Sequence, residues 1–174
     1  YIDIATGMYH GIALNNLGKV FTWGDSSWGQ GGSNIIVPSY PFVSDSSAFS
    51  SREITSRFNL NPGEKVIAIE AGALFSSALT SSGRFFTWGN NSQGELGLSV
   101  FSYEYLALPR DITSRFGLEA GEVIVDFKSA HTITYVRTSL GKTYYFGATQ
   151  TSIIDAPMRV NPISPEPDGQ ITDL

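Results

Sequence analysis

His10 and His131 are the first residues to question, because a neutral imidazole can act as a base, a proton shuttle or a metal ligand. Neither stands in an H-x-E, HExxH or paired-His setting. They also fall at different places in the surrounding pattern, so each reads as a hydrogen-bonded structural residue. Serines are abundant, but no Gly-x-Ser-x-Gly elbow exposes one as a nucleophile. Asp3, Asp25, Glu70 and Asp126 are scattered, with no spacing that predicts acid–base work. No Gly-x-Gly-x-x-Gly or phosphate loop leads from a strand into a helix. With no cysteine among 174 residues, disulfides and thiolate metal sites are excluded. We therefore expect no catalytic residue, no metal and no cofactor. An Asn90-Asn91-Ser92 sequon is a weak signal for glycosylation.

Recognition chemistry remains, and a repeat positions it. Residues 72–97 read GALFSSALTSSGRFFTWGNNSQGELG. The pattern occurs earlier, from Gly7, as GMYHGIALNNLGKVFTWGDSSWGQGG, and more loosely from Ala130 as AHTITYVRTSLGKTYYFGA. Trp23, Trp88 and Phe146 share one position, at spacings of 65 (88 − 23) and 58 (146 − 88). A period of this size signals a repeat architecture.

Short runs rich in Val, Ile, Phe, Tyr and Thr, bounded by Gly, Asn, Ser and Pro, predict four strands per repeat. They fall at 2–5, 11–15, 19–23 and near 41–43; at 65–70, 76–80, 84–88 and 108–112; and at 123–127, 132–138, 142–146 and 157–160. Gly18, Gly83 and Gly141 occupy the same place in three tight turns, as hairpins with a positive φ require. The expected fold is all-β, a β-propeller segment of about three four-stranded blades. The blades are bounded at about 1–43, 52–112 and 122–160, and residues 161–174 form a Pro-rich tail or linker. Closed propellers have about four to eight blades. Three would belong to a larger propeller or be completed by self-association, with the former preferred.

REITSRFNLNPGE (52–64) and RDITSRFGLEAGE (110–122) form a second repeat, offset by 58 (110 − 52). Thr55 and Thr113 are expected to cap a helical turn that ends at Gly63 or Gly121. Phe58, Leu60, Phe116 and Leu118 would form a satellite cluster beneath the blade. An insertion in the first repeat is expected within residues 44–51, as a surface loop.

Composition bounds the partners. Charged residues are only 16%, the net charge is −5 and the pI is near 4.9, which argues against a nonspecific nucleic-acid binder. No apolar run approaches the ~18 residues of a membrane span, so no membrane insertion is expected. The expected partner is a protein, and a secreted or cell-surface setting is favoured over the cytoplasm.

In an up-and-down blade, the loops after the first and third strands emerge on one face. That face collects the candidate partner-binding residues Tyr9, His10, Asp25, Trp28, Phe75, Asn91 and Gln93. Trp28 is the most informative, because its repeat counterpart is Gln93 and periodicity assigns it no core role. The plainer alternative has Trp28 covering a neighbouring blade and Tyr9 lining a loop. On the opposite face, Lys19, Arg84 and Lys142 follow the hairpin glycines. They read as solvated tips or as a row facing an acidic partner.

Gly7-x-x-His10-x-x-Ala13-Leu14, Gly18, Phe21-x-Trp23-Gly24 and Gly29-Gln30-Gly31-Gly32 together resemble a regulator-of-chromosome-condensation repeat. The second copy resembles it more closely, from Gly72 through Trp88-Gly89 to Gly94-x-Leu96-Gly97, with Phe75 where the family often has His. The third departs, with Ala130 for the first Gly, Phe146 for Trp and no Gly-x-Leu-Gly end. The Ile-Thr-Ser-Arg-Phe insert is similar to that of bacterial multi-repeat members. The resemblance implies a noncatalytic module for protein–protein recognition or scaffolding. It also implies two alternatives: an enzyme inhibitor like the family's β-lactamase inhibitor, or a guanine nucleotide exchange factor for a small GTPase. No wedge insertion for the exchange activity is visible in the chain.

Overall fold

Each copy of the repeat closes as one antiparallel sheet in a computed structural model that describes residues 1–34, 50–99 and 105–160. The first blade contains β1 (Asp3–Thr6), β2 (His10–Leu14), β3 (Val20–Gly24) and β4 (Arg52–Glu53). The second contains β5 (Val66–Ala71), β6 (Phe75–Thr80), β7 (Phe85–Gly89) and β8 (Leu106–Asp111). The third contains β9 (Ile124–Ala130), β10 (Ile133–Thr138), β11 (Thr143–Ala148) and β12 (Ile153–Arg159). In every sheet the strands lie in sequence order, each paired with the next. This is the up-and-down meander expected of a propeller blade.

The fourth strand of the first blade departs from expectation. Residues 41–43 lie outside the described residues, as do most of the predicted loop and the tail 161–174. The edge is instead filled by β4, in which Glu53 pairs with Phe21 and Arg52 with Thr22. Arg52 and Glu53 therefore close the first blade, and the second begins at Val66. They match Arg110 and Asp111 at the end of β8, so the 58-residue repeat joins the end of one blade to the start of the next.

Apolar side chains fill two seams between blades. Ile12, Leu14, Val20 and Ile54 of the first blade meet Ile69, Phe86 and Trp88 of the second. Phe75, Leu79 and Phe85 of the second blade meet Phe127, Val136, Tyr144 and Phe146 of the third. Alternate residues of a strand point to opposite sheet faces, so each blade supplies one set to its predecessor and another to its successor.

The Thr-Ser-Arg-Phe segments form single 3-10 turns at Thr55–Phe58 and Thr113–Phe116. Neither threonine caps its own turn. Instead, Thr55 Oγ1 accepts the Val20 amide at 2.9 Å, and Thr113 Oγ1 accepts the Phe85 amide at 2.8 Å. The turns end at Asn59 and Gly117, both left-handed, and not at Gly63 or Gly121. Phe58 and Phe116 are no satellites. Phe58 packs edge-on to Phe86 and Trp88, with centroids at 5.1 and 5.5 Å, and Phe116 does the same to Tyr144 at 5.4 Å. Each plugs the seam from below.

Candidate functional site

Backbone hydrogen bonds tie the first and third loops of each blade together on one face. Asp25 N donates to Tyr9 O at 2.8 Å, Asn90 N to Leu74 O at 2.9 Å and Ala148 N to Thr132 O at 3.1 Å. The first loops of successive blades are also joined, Met8 N to Ala73 O at 3.0 Å and Ala73 N to His131 O at 2.7 Å. Met8, Ala73 and His131 thereby line one shallow depression.

The loop after β3 is held by its own side chains. Asp25 Oδ1 accepts the Ser27 amide at 2.8 Å, and Gln30 Oε1 accepts the Trp28 amide at 2.9 Å. The second blade repeats both bonds with Asn90 to the Ser92 amide at 2.6 Å and Glu95 to the Gln93 amide at 2.7 Å. An Asp or Asn at a loop start folds onto amides two residues on, forming an Asx turn. The sequon's Asn90 is thus buried and engaged. Gly29, at φ +75°, lies so close to the Leu106–Ala107 backbone that a Cβ would sit 2.7 Å from Leu106 O. Gly94 lies against Asp155 of β12 in the same way. Each loop therefore latches onto the outer strand of the following blade.

Trp28 is 42% exposed and Tyr9 59%, and Gln93 and Met8 are exposed beside them on this face. The other four candidates, His10, Asp25, Phe75 and Asn91, are buried. Phe75 belongs to the second seam, since the tight turn Gly72 N to Phe75 O (3.0 Å) places it at the start of β6 facing the third blade. Asn91 Oδ1 accepts the Leu96 amide at 3.1 Å inside its loop. Asp25 is occupied by the Asx turn. His10 is an interior strut: its Nε2 lies 2.9 Å from Ser76 Oγ, and Ser76 donates its own proton to Gln30 O at 3.2 Å. Nε2 therefore carries the imidazole proton, and Nδ1 is left buried without a hydrogen bond. Burial lowers the His10 pKa to about 4, against the opposing pull of Asp25. Tyr105, 40% exposed, is a surface aromatic not anticipated from the repeat, and its ring borders Gly29, next to Trp28. Only the packing of that loop on β8 brings it there.

Each member of the basic row on the opposite face has an acidic partner within the chain, with Lys19 still exposed and Arg84 and Lys142 mostly covered. Lys19 pairs with Glu53 at 3.0 Å. Arg84 pairs with Asp111 at 2.8 Å and Glu64 at 3.1 Å, and Lys142 with Glu119 at 2.8 Å and Glu122 at 2.7 Å. Burial would raise the Glu64 pKa, but hydrogen bonds from Ser82, Thr80, the Asn61 amide and Arg84 outweigh it and hold the value at about 2. Glu122 is also held at about 2, by the Glu119 amide, Lys142 and Thr138.

Comparison with known proteins agrees with this geometry. The regulator of chromosome condensation (RCC1) repeat matches residues 1–30 and 66–95. Over 147 residues, 84% of this chain, the sequence is 31% identical to the probable E3 ubiquitin-protein ligase HERC6 of Homo sapiens. Human WBSCR16 superposes with a TM-score of 0.71 at 22% identity over 92% of this chain. The structure of Kap60 bound to yeast RCC1 (Prp20) gives 0.69 at 18% identity over 93%. The chain spans 13% of the length of HERC6, and 39% and 37% of the two solved chains. The chain thus carries regulator of chromosome condensation (RCC1) repeats, matched at residues 1–30 and 66–95, and folds as three β-propeller blades.

Proposed function

We propose that these blades form a noncatalytic protein-recognition segment of a propeller, and that it reads its partner with the loop face. The observation that carries this is the state of Trp28. Its loop is fixed by the Asx turn, the Gln30 brace and the latch on β8, yet the indole stays 42% exposed beside Tyr105, on the face that also carries Tyr9. A rigid exposed Trp–Tyr cluster presents large contact area with little conformational entropy left to lose, the character of an interface anchor. Yeast RCC1 (Prp20), which shares this fold, is solved with Kap60 bound, and this supports the reading.

Site-specific photo-cross-linking tests the proposal. A photoreactive residue at position 28 should trap a protein partner, and Trp28→Ala with Tyr9→Ala should abolish capture by a probe at Gln93. A probe at Lys19, on the opposite face, should trap nothing. Equal trapping from both faces, or undiminished capture by the double variant, refutes the assignment.

A further inference from the structure

The turns after β3 and β7 share one scaffold, held by the same pair of side-chain bonds, but they present different chemistry on it. Where the second blade has Asn90 and Gln93, the first has Asp25 and Trp28 (90 − 65 = 25 and 93 − 65 = 28). The scaffold requires neither change. Asn90 accepts the Ser92 amide just as Asp25 accepts that of Ser27, and Gln93 occupies the place of Trp28 with its amide held in the same way. What the first blade gains, within one short turn, is a carboxylate and a flat π surface. The Tyr105 ring borders Gly29 beside that surface, whereas residues 90–98 expose no large apolar side chain.

The charge of the chain is divided between its two faces. The described loops of this face are 7–9, 25–34, 72–74, 90–98, 131–132 and 148–152, and none of the 11 Lys and Arg residues falls in them. They stand in the hairpins and turns of the opposite face and along the strands. The loop face instead carries the carboxylates of Asp25 and Glu95, both buried, and one exposed imidazole, that of His131. A carboxylate covered by protein is screened less by salt than one in water, so its field reaches out from the surface above it.

We infer that the turn of the first blade takes a cationic side chain of the partner, an arginine, laid on Trp28 beside Tyr105 within the field of Asp25. This rests on the loop-face reading above and adds the chemistry of the occupant. A guanidinium is planar, always charged and weakly hydrated, so it stacks on an indole and keeps its N–H groups for hydrogen bonds. A neutral segment would use the rings and not the field, and an acidic one would be repelled. A second copy of the chain, docking through the same face, brings no Lys or Arg in these loops to the contact.

A model peptide tests it. The probe is a blocked pentapeptide, Gly-Arg-Gly-Arg-Gly, and its control carries citrulline, the neutral isostere, in place of both arginines. In NMR titrations the arginine peptide should shift the Trp28 indole N–H and the Gly29 amide saturably, and the citrulline peptide should bind about tenfold more weakly. Asp25→Asn and Trp28→Gln install the residues that the second blade carries on the same scaffold. Each should weaken the arginine peptide about threefold to tenfold, read at Gly29, and Asp25→Asn should leave the citrulline peptide unaffected. Equal binding of the two peptides, no shift at either reporter, or parental affinity in Asp25→Asn overturns the inference. Those results concern the cation alone, because a partner trapped through position 28 still marks the loop face as the reading surface.

Discussion

The indole of Trp88 donates across the first seam to the backbone carbonyl of Gln30, 2.9 Å away, so the most buried tryptophan of one blade is tied to the loop of the blade before it. Ser76 donates to the same oxygen at 3.2 Å. Trp88→Phe keeps a ring that the third blade tolerates as Phe146, and it removes one of these two donors. Urea unfolding should show a loss of about 1–2 kcal/mol. Trp88→Ala also empties the seam, and should lose about 3–5 kcal/mol.

The His10 strut makes stability sensitive to mildly acidic pH. Its folded pKa, about 4, lies below the ordinary 6.5, so the unfolded chain takes up the proton first. The contribution is whole above about 6.5, declines as pH falls and is gone below about 4. Thermal melts between pH 7 and 4 should show this slope, and His10→Gln should flatten it.

A second acid-sensitive pair acts lower on the scale. Glu64 and Glu122 are held at about 2, against an ordinary 4.5, so the stability they add is present above 4.5 and is lost as pH falls toward 2. Glu64→Gln with Glu122→Gln should lower the melting midpoint at pH 7 and remove most of its fall between pH 4.5 and 2.

Glu95 has the opposite sign. Burial pushes its pKa up, so the stability linked to its protonated form exists at low pH and is lost as pH rises through the folded value. The first blade has Gln30 at this position, and its amide oxygen accepts the same loop hydrogen bond, from the Trp28 amide. Glu95→Gln should therefore raise stability at pH 7 by about 0.5–1.5 kcal/mol, with the gain vanishing at low pH. Denaturant midpoints at the two pH values check this.

Blade number and most strands were legible in the sequence, because the Trp/Phe spacing and hairpin glycines fix where the second and third strands meet in each copy. The short edge strand β4 was not. Two residues carry no alternation, and Arg52–Glu53 sit inside a segment whose Thr-Ser-Arg-Phe pattern reads as a helical turn. Within the candidate site, periodicity put Tyr9 and Trp28 on the loop face, where both are exposed, but could not tell facing from folding back. Asp25 and Asn91 bond to amides of their own loops, and Phe75 is drawn into the seam by a turn that starts only three residues earlier. The acidic partners of Arg84 come from 20 residues before and 27 after it (84 − 64 and 111 − 84), a pairing that only the closed blade reveals.

The latches on the outer strands also set the order in which the chain would yield under load. Gly29 and Asn34 clip the first blade onto β8, and Gly94 and Ser99 clip the second onto β12. The middle blade is thus gripped by both neighbours, and each outer blade by one. Stretched between its termini in an optical trap, the chain should surrender an outer blade first, before the middle one.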